Sequence, residues 1–339
     1  MTSDTLTTPT FQRRHLLNMA AGAAVTAALP LSAQAQTSLV NRPVRIVVPF
    51  APGGATDTLA RVLGERMAQD FGQPVVVENK SGATGLLAGE MVVRSVPDGT
   101  TVLLGTTSAM LTNKYLYKKT PYDPLTDLKP LIRICLAPIA LVVTSDVPVQ
   151  DMKQFMDWIK ANKGKLSYGS YGIGSHAHLV GATLSEMAGA EMLHVAYRGE
   201  APMVQGMLTG EIKIAVGSMV SLKPHIDSGK LRALAVTGPL RVPLLSDVPT
   251  FVQAGYKSDA LAIVGWLGIA GPKDMPVATA QRWAEIANRA VASRQGTARI
   301  IAAGFVPVDT DTPESFARMW AKEGPIWGAL FERAGVKPT

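Results

Sequence analysis

The chain reads as an α/β protein with parallel sheets, on three observations. Short apolar strands alternate with helical stretches from Val44 onward. Four loops share one construction, a strand end followed by glycine or small polar residues and then a helix start: 49–57, 105–110, 169–178 and 197–203. Two of these lie in the first third of the chain and two in the middle. In open α/β sheets such loops gather at the carboxyl ends of the strands, where ligands bind, so two groups of them predict a cleft between two domains.

The elements follow in order. Ile46, Val47 and Val48 form a β-branched run that suits a strand buried on both faces. Pro49 ends it, and Pro52-Gly53-Gly54 makes a turn whose backbone can approach a ligand closely. Leu59, Val62, Leu63 and Met67 then recur at helical spacing. The amides at that helix start, with the positive end of the helix dipole, suit an anion. A second strand is expected over 73–78, a helix over 86–94 and a third strand over 101–104. Gly105-Thr106-Thr107-Ser108 repeats the strand-end pattern, with hydroxyls suited to capping the next segment. Residues 115–127, with two X-Pro turns, read as irregular surface.

Strand 139–143 is followed by helix 149–159 and strand 165–169. Ser170 to Ser175 forms a glycine-rich turn into a helix over 176–187, with strand 192–195 beyond it. Arg198-Gly199-Glu200-Ala201-Pro202 opens a helix running to 209, and strand 212–216, a short helix over 222–228 and strand 231–236 follow. Pro239, Pro243 and Pro249 punctuate a connecting region. A Gly-rich strand over 262–270 leads to helix 277–293, and Pro307 marks 305–308 as an edge strand. Thr312-Pro313-Glu314 is a helix start that places Phe316, Met319 and Trp320 on one face. Gly324-Pro325 is expected to kink or split that helix.

Residues 1–35 read as an export leader rather than part of the fold. Arg13 and Arg14 precede the weakly apolar stretch 19–29, with the small-residue site Ala33-Gln34-Ala35 after it. Gln12-Arg13-Arg14-His15-Leu16-Leu17 resembles a twin-arginine signal, and the general secretory route stays open beside it. Either route leads to the periplasm. The remaining chain is long enough for two ordinary domains. Its full formal charge is +7, with basic residues scattered and aromatics at 6%. Nucleic acid would ask for a basic stripe with stacking aromatics, so that partner is rejected, while a mild positive field suits a small anion. One cysteine, Cys135, allows no intrachain disulfide.

Catalytic signatures are mostly missing. Tyr168-Gly169-Ser170-Tyr171-Gly172 lacks the first glycine of a nucleophile elbow. No HExxH, Walker A or GxGxxG motif occurs. His176 and His178 point different ways on a helix and have no clustered third ligand, so no metal is assigned. His194 reads as a hydrogen-bonded core residue and His225 as lying on a surface helix. Asp57, in a helix's first turn, offsets the dipole and is a second-choice ligand contact, with Arg61 one turn on as its structural partner.

Several blocks then stand in family order: VPFAPGGATDTLAR, QPVVVENKSGATG, PDGTTVLLG, YGSYGIGSHAHL, HVAYRGEAP, KPHIDSGKLRALAVTG and LSDVPTFVQAG. They resemble the periplasmic solute receptors of tripartite tricarboxylate transporters, also called Bug receptors, across essentially the whole mature chain. The resemblance implies a type II periplasmic-binding-protein fold: two Rossmann-like lobes with mainly parallel sheets and a ligand cleft between them. Lobe 1 would comprise 36–138 plus 238–339 and lobe 2 would comprise 139–237, with crossovers near 138–142 and 236–238. It implies a non-catalytic monomer that closes on a small carboxylate, without cofactor, and serves membrane transporter subunits or a sensor kinase. The implied ligand-binding residues are Phe50, Pro52, Gly53, Gly54, Ala55, Asp57, Thr107, Ser108, Gly174, Ser175, His176, Gly199, Glu200, Ala201 and Ser218. A secreted hydrolase using Ser170 or Ser175 beside His176 is the alternative. Glu200 departs from the family, which usually carries a small residue there, often serine. Facing the cleft, its carboxylate would repel a second anionic group on the ligand; turned away, it would cap its own helix.

Overall fold

The computed structural model describes residues 42–338; the expected leader and its cleavage site lie outside the described residues. The first sheet is built from β1 (Val44–Val48), β2 (Val75–Asn79), β3 (Thr101–Thr106), β4 (Leu128–Ala137), β10 (Gly265–Pro272) and β11 (Val306–Pro307), in the order β11-β4-β10-β3-β1-β2. The second is built from β5 (Ile139–Thr144), β6 (Ser167–Ser170), β7 (Leu193–Ala196), β8 (Ile214–Ser218) and β9 (Leu231–Val236), in the order β7-β6-β8-β5-β9.

The pleat explains the burial of β1 on both faces. Val44, Ile46 and Val48 join Leu59, Leu63 and Met67 of α1 (Ala55–Phe71) and Trp283 of α10 (Val277–Ala292) in one core. Val47 points the other way, into a core shared with α2 (Leu86–Val93) and with Phe316, Trp320 and Trp327 of α12 (Pro313–Arg333). The second sheet is covered in the same manner. Leu141 and Val143 face α5 (Met152–Ala161) and α6 (His176–Ala188). Ala140 and Val142 face α7 (Glu200–Leu208) and α8 (Met219–Asp227).

The two-sheet α/β architecture matches expectation, but the sheets are mixed rather than mainly parallel. β1 pairs parallel with β2 and β3, and β6 with β7 and β8. β10 runs antiparallel to β3 and β4, and β5 runs antiparallel to β8 and β9. β5 and β10 are the strands by which the chain arrives from the other sheet, so they run against the strands that helical crossovers connect.

Four further differences have local causes. β4 went unread because Lys129, Pro130 and Arg133 interrupt its apolar residues, yet Leu131, Ile132, Ile134 and Cys135 are fully buried. Segment 115–127 begins inside α3 (Asn113–Leu116), which is entered from a π-helical turn at Ser108–Thr112, and ends with α4 (Pro124–Asp127). α11 (Arg294–Ala302) follows α10 directly after Ser293, whose Oγ caps it by accepting from the Gly296 N–H. Helix α12 starts at the expected cap, Thr312, which forms a capping box with Ser315, and runs unbroken through Pro325. Gly324 at that point lies beside Tyr115 and Leu111, so a helix without a bulky side chain there packs closely.

The first crossover lies between Ala137 and Ile139. The second lies later. After β9, Val242 and Leu245 pack into the α7–α8 core, while Phe251 and Leu261 pack into the α5–α6 core. A bridge joins Val236 to Thr250. Only after α9 (Asp259–Ala262) does the chain return to the first sheet at Gly265.

Candidate functional site

The turn after β1 is assembled around Asp57. Its carboxylate accepts from the Gly53 N–H at 2.8 Å, from Arg61 Nε at 3.1 Å and from Asn79 Nδ2 at 2.9 Å. Asn79, at the end of the neighbouring β2, also donates to Phe50 O and accepts from Arg61. Burial raises the Asp57 carboxyl, but Arg61, the Gly53 amide and Asn79 outweigh it and hold the group below its ordinary range. Asp57 is 3% exposed, and its oxygens are engaged in holding the turn. Gly53 adopts φ +86°, which a side chain would strain, and Gly54 caps α1 without a side-chain bond. Pro52, Gly53 and Gly54 are exposed. The first amide of α1 bonded within the helix is that of Thr58, to Gly54 O. The N–H groups just before it point out of the helix end, the arrangement that binds anions.

The turn after β3 abuts this one, since a side chain on Gly105 would meet Pro49 and Ala109. Thr107 Oγ1 accepts from the Trp266 N–H at 2.7 Å and donates to Trp266 O, so Thr107 ties the π-helical turn to β10. Ser108, the next residue, is half-buried.

Three turns stand at the carboxyl ends of β6, β7 and β8. Gly174 (φ +70°) lies against Leu116 and Phe331, which leaves no room for a Cβ, and Ser175 caps α6 by accepting from the His178 N–H. His176 turns inward. Its Nε2 lies 3.0 Å from Ala260 O and its ring meets Trp327 edge-on at 5.1 Å. Burial pushes it down to about 4, against the pull of the Ala260 carbonyl. Gly199 (φ +112°) caps α7 without a side-chain bond, and Ala201 is exposed in its first turn. Glu200 neither caps its own helix nor stands free. Its Oε1 accepts from the Ser218 N–H at 2.8 Å, and its Oε2 accepts from the hydroxyls of Ser218 and Ser221. The carboxylate therefore sits on the N-terminus of α8.

The serines of the hydrolase reading are committed elsewhere. Ser175 is a helix cap, and Ser170, fully buried, donates to Gly172 O and lies 2.7 Å from His194 Nε2. His194 stacks on His178 with centroids 3.7 Å apart, and burial, then the His178 charge, pushes it down to about 4. Asn79 and Ser221 escaped the sequence reading because each acts through the geometry of a neighbouring strand or helix. Asn79's place at the end of β2 beside β1 was the one usable signal. Among the described residues no helix is long and apolar enough to cross a membrane.

Two open α/β sheets joined by crossover segments, with helix starts and glycine turns at their carboxyl ends, define a solute-binding protein of the periplasmic type. The chain belongs to the tripartite tricarboxylate transporter family receptors, whose model matches residues 59–336. It is similar to the protein BugT of Bordetella pertussis, 31% identical over 311 residues covering 91% of this chain and 94% of that one. Its structure is similar to that of the periplasmic binding protein BugD, with TM-score 0.72 and 33% identity over 88% of this chain and 100% of that one. It is also similar to Rpa4515 of R. palustris, solved with adipate, with TM-score 0.75 and 31% identity over 88% of this chain and 99% of that one.

Proposed function

We propose that this receptor works in the periplasm after removal of a leader ending near Ala35. There, as a monomer and without catalysis, it closes on a small carboxylate and delivers it to membrane transporter subunits. The proposed lobes are 42–138 with 263–338, and 139–262, since segment 239–262 packs with the second sheet. The observation that carries this reading is the exposed Pro52-Gly53-Gly54 turn at the start of α1, whose acid is turned inward onto Arg61 and Asn79. The ligand carboxylate is assigned to the amides of Gly54 and Ala55, on the exposed Gly53 turn that Asp57 holds in place. Ser108, Gly174, Ser175, Gly199 and Ala201 supply the facing surfaces. Asp57, Thr107, His176 and Ser218 shape the site through bonds to protein groups. The ligands bound in relatives, adipate in Rpa4515 and malate in MatC of Rhodopseudomonas palustris, support a small carboxylate as the ligand.

Magnitudes require shared work. A helix end contributes roughly 0.3–1 kcal/mol to an anion, up to about 2 when partly buried. Micromolar affinity needs about 8 kcal/mol. Backbone hydrogen bonds and burial on closure supply the remainder, so the ligand stabilises the closed state by contacts it lacks in the open one. Native mass spectrometry of freshly purified protein, followed by calorimetric titration with small carboxylates, tests the reading. Retention or saturable binding of a carboxylate with no product formed is expected. Turnover, or indifference to every carboxylate at millimolar concentration, overturns it.

A further inference from the structure

We infer that Glu200 makes the site selective for ligands whose end remote from the bound carboxylate is neutral or cationic, because the chain's own carboxylate occupies the α8 helix end. The inference rests on the receptor reading above and narrows its ligand class. Glu200 lies in the first turn after β7 and Ser218 at the end of β8, and β6 runs between those strands. The side chain thus spans the carboxyl edge of the second sheet. All three of its recorded donors, the Ser218 N–H and the two serine hydroxyls, belong to the N-terminal turn of α8. A ligand carboxylate at that helix end would need those same donors. Glu200 forms no ion pair with a described residue, so its charge is balanced only by the helix end and solvent; Arg198, two residues before it, is exposed and makes no bond to it. Glu200, Ser218 and Ser221 are each partly exposed, which leaves the carboxylate within reach of whatever enters the cleft. Tyr171, at the end of β6, is held neutral by burial and by the Glu200 charge, so it offers a hydroxyl and no cation.

Two like charges about 6–8 Å apart, at an effective dielectric near 20, disfavour binding by roughly 30- to 100-fold. An amine at the same place gains a similar factor, and an amide or hydroxyl avoids the penalty. The test titrates the mature protein and Glu200→Gln with straight-chain dicarboxylates, each paired with the monoamide and the ω-amino acid of the same length. The wild type is expected to bind the amide or amine at least about tenfold tighter than the matching dicarboxylate, and Glu200→Gln to narrow that ratio at least about tenfold, well within the charge penalty. Equal or tighter binding of the dicarboxylate by the wild type overturns the inference and leaves the receptor reading standing. So does an unchanged ratio in Glu200→Gln. Failure of every probe to bind either protein overturns the receptor reading as well. The wild-type ratio decides alone if the variant does not fold.

Discussion

Asp57 and Glu200 are each a carboxylate in the first turn of a helix that follows a strand of its sheet, the third residue of one and the first of the other, and they do opposite things. Asp57 curls back on its own turn, bonding the amide four residues earlier and the guanidinium four residues later. That leaves the helix start open for a guest. Glu200 has one more methylene, and it reaches across to a neighbouring helix and closes that helix start with its own charge. An acid in a first helical turn offsets the dipole in either case. Position within the turn, side-chain length and the neighbouring strand decide whether the acid bonds its own turn or the start of the next helix.

The largest effect that can break this contrast is Asp57→Ala. It leaves the Gly53 amide, Asn79 Nδ2 and Arg61 without their shared acceptor, and Asp57 is nearly fully buried. Loss of a buried, charge-assisted acceptor with several donors is expected to cost about 3 kcal/mol. The same change should weaken carboxylate binding at least about tenfold by unfixing the Gly53–Gly54 turn, to which the ligand carboxylate is proposed to bind. Denaturant unfolding with paired titrations would show both. A stable variant with intact binding would mean that the turn holds its shape without the acid.

A smaller contrast lies in pH. The described histidines, His176, His178, His194 and His225, all fall between β5 and β9, and the first sheet with its helices has none. Burial holds His176 and His194 near 4, below the ordinary 6.5. Between those values the unfolded chain binds more protons than the folded one, so stability is level above about 6.5 and falls as pH drops toward 4. Asp57 is displaced the other way relative to its charged form: its contribution is present above its ordinary 3.8 and is lost only as pH falls below it. Acidification to about pH 4.5 should therefore loosen the second sheet first, by roughly 2 kcal/mol after discounting for solvent screening. Amide exchange resolved by strand at neutral and acid pH would reveal the order. Earlier loss of protection in β1 or β3 than in β6 or β8 would refute it.

These differences also show what a sequence carries. The β1 run, the glycine turns and the Thr312 cap were legible because each is set by residues adjacent in the chain. The Asp57–Arg61 pair was legible too, being one helical turn apart. β4 was not, because its burial comes from β10 and α10, far along the chain, and these override Lys129 and Pro130. The inward turn of His176 depends on Ala260 and Trp327, and the Glu200 contact depends on the order β7-β6-β8. Neither fact is local. What sequence spacing located was the loops; which side chains in them stay free was decided by partners across the sheet.

The smallest expected effect is the sharpest on the Glu200 side. Ser221→Ala removes one hydroxyl donor from Oε2 and leaves the Ser218 amide and hydroxyl in place. A hydroxyl bond to a charged acceptor at a half-exposed site contributes about 1 kcal/mol, so the melting temperature should fall by only a few degrees. If the carboxylate itself excludes a second anion, selectivity between a dicarboxylate and its monoamide should shift by no more than a few fold, since the charge stays on the α8 helix end. A shift as large as that of Glu200→Gln would place the discrimination in the serine hydroxyls and reduce Glu200 to their anchor. Measured side by side, the two variants separate a charge that repels from a hydrogen-bond array that recognises.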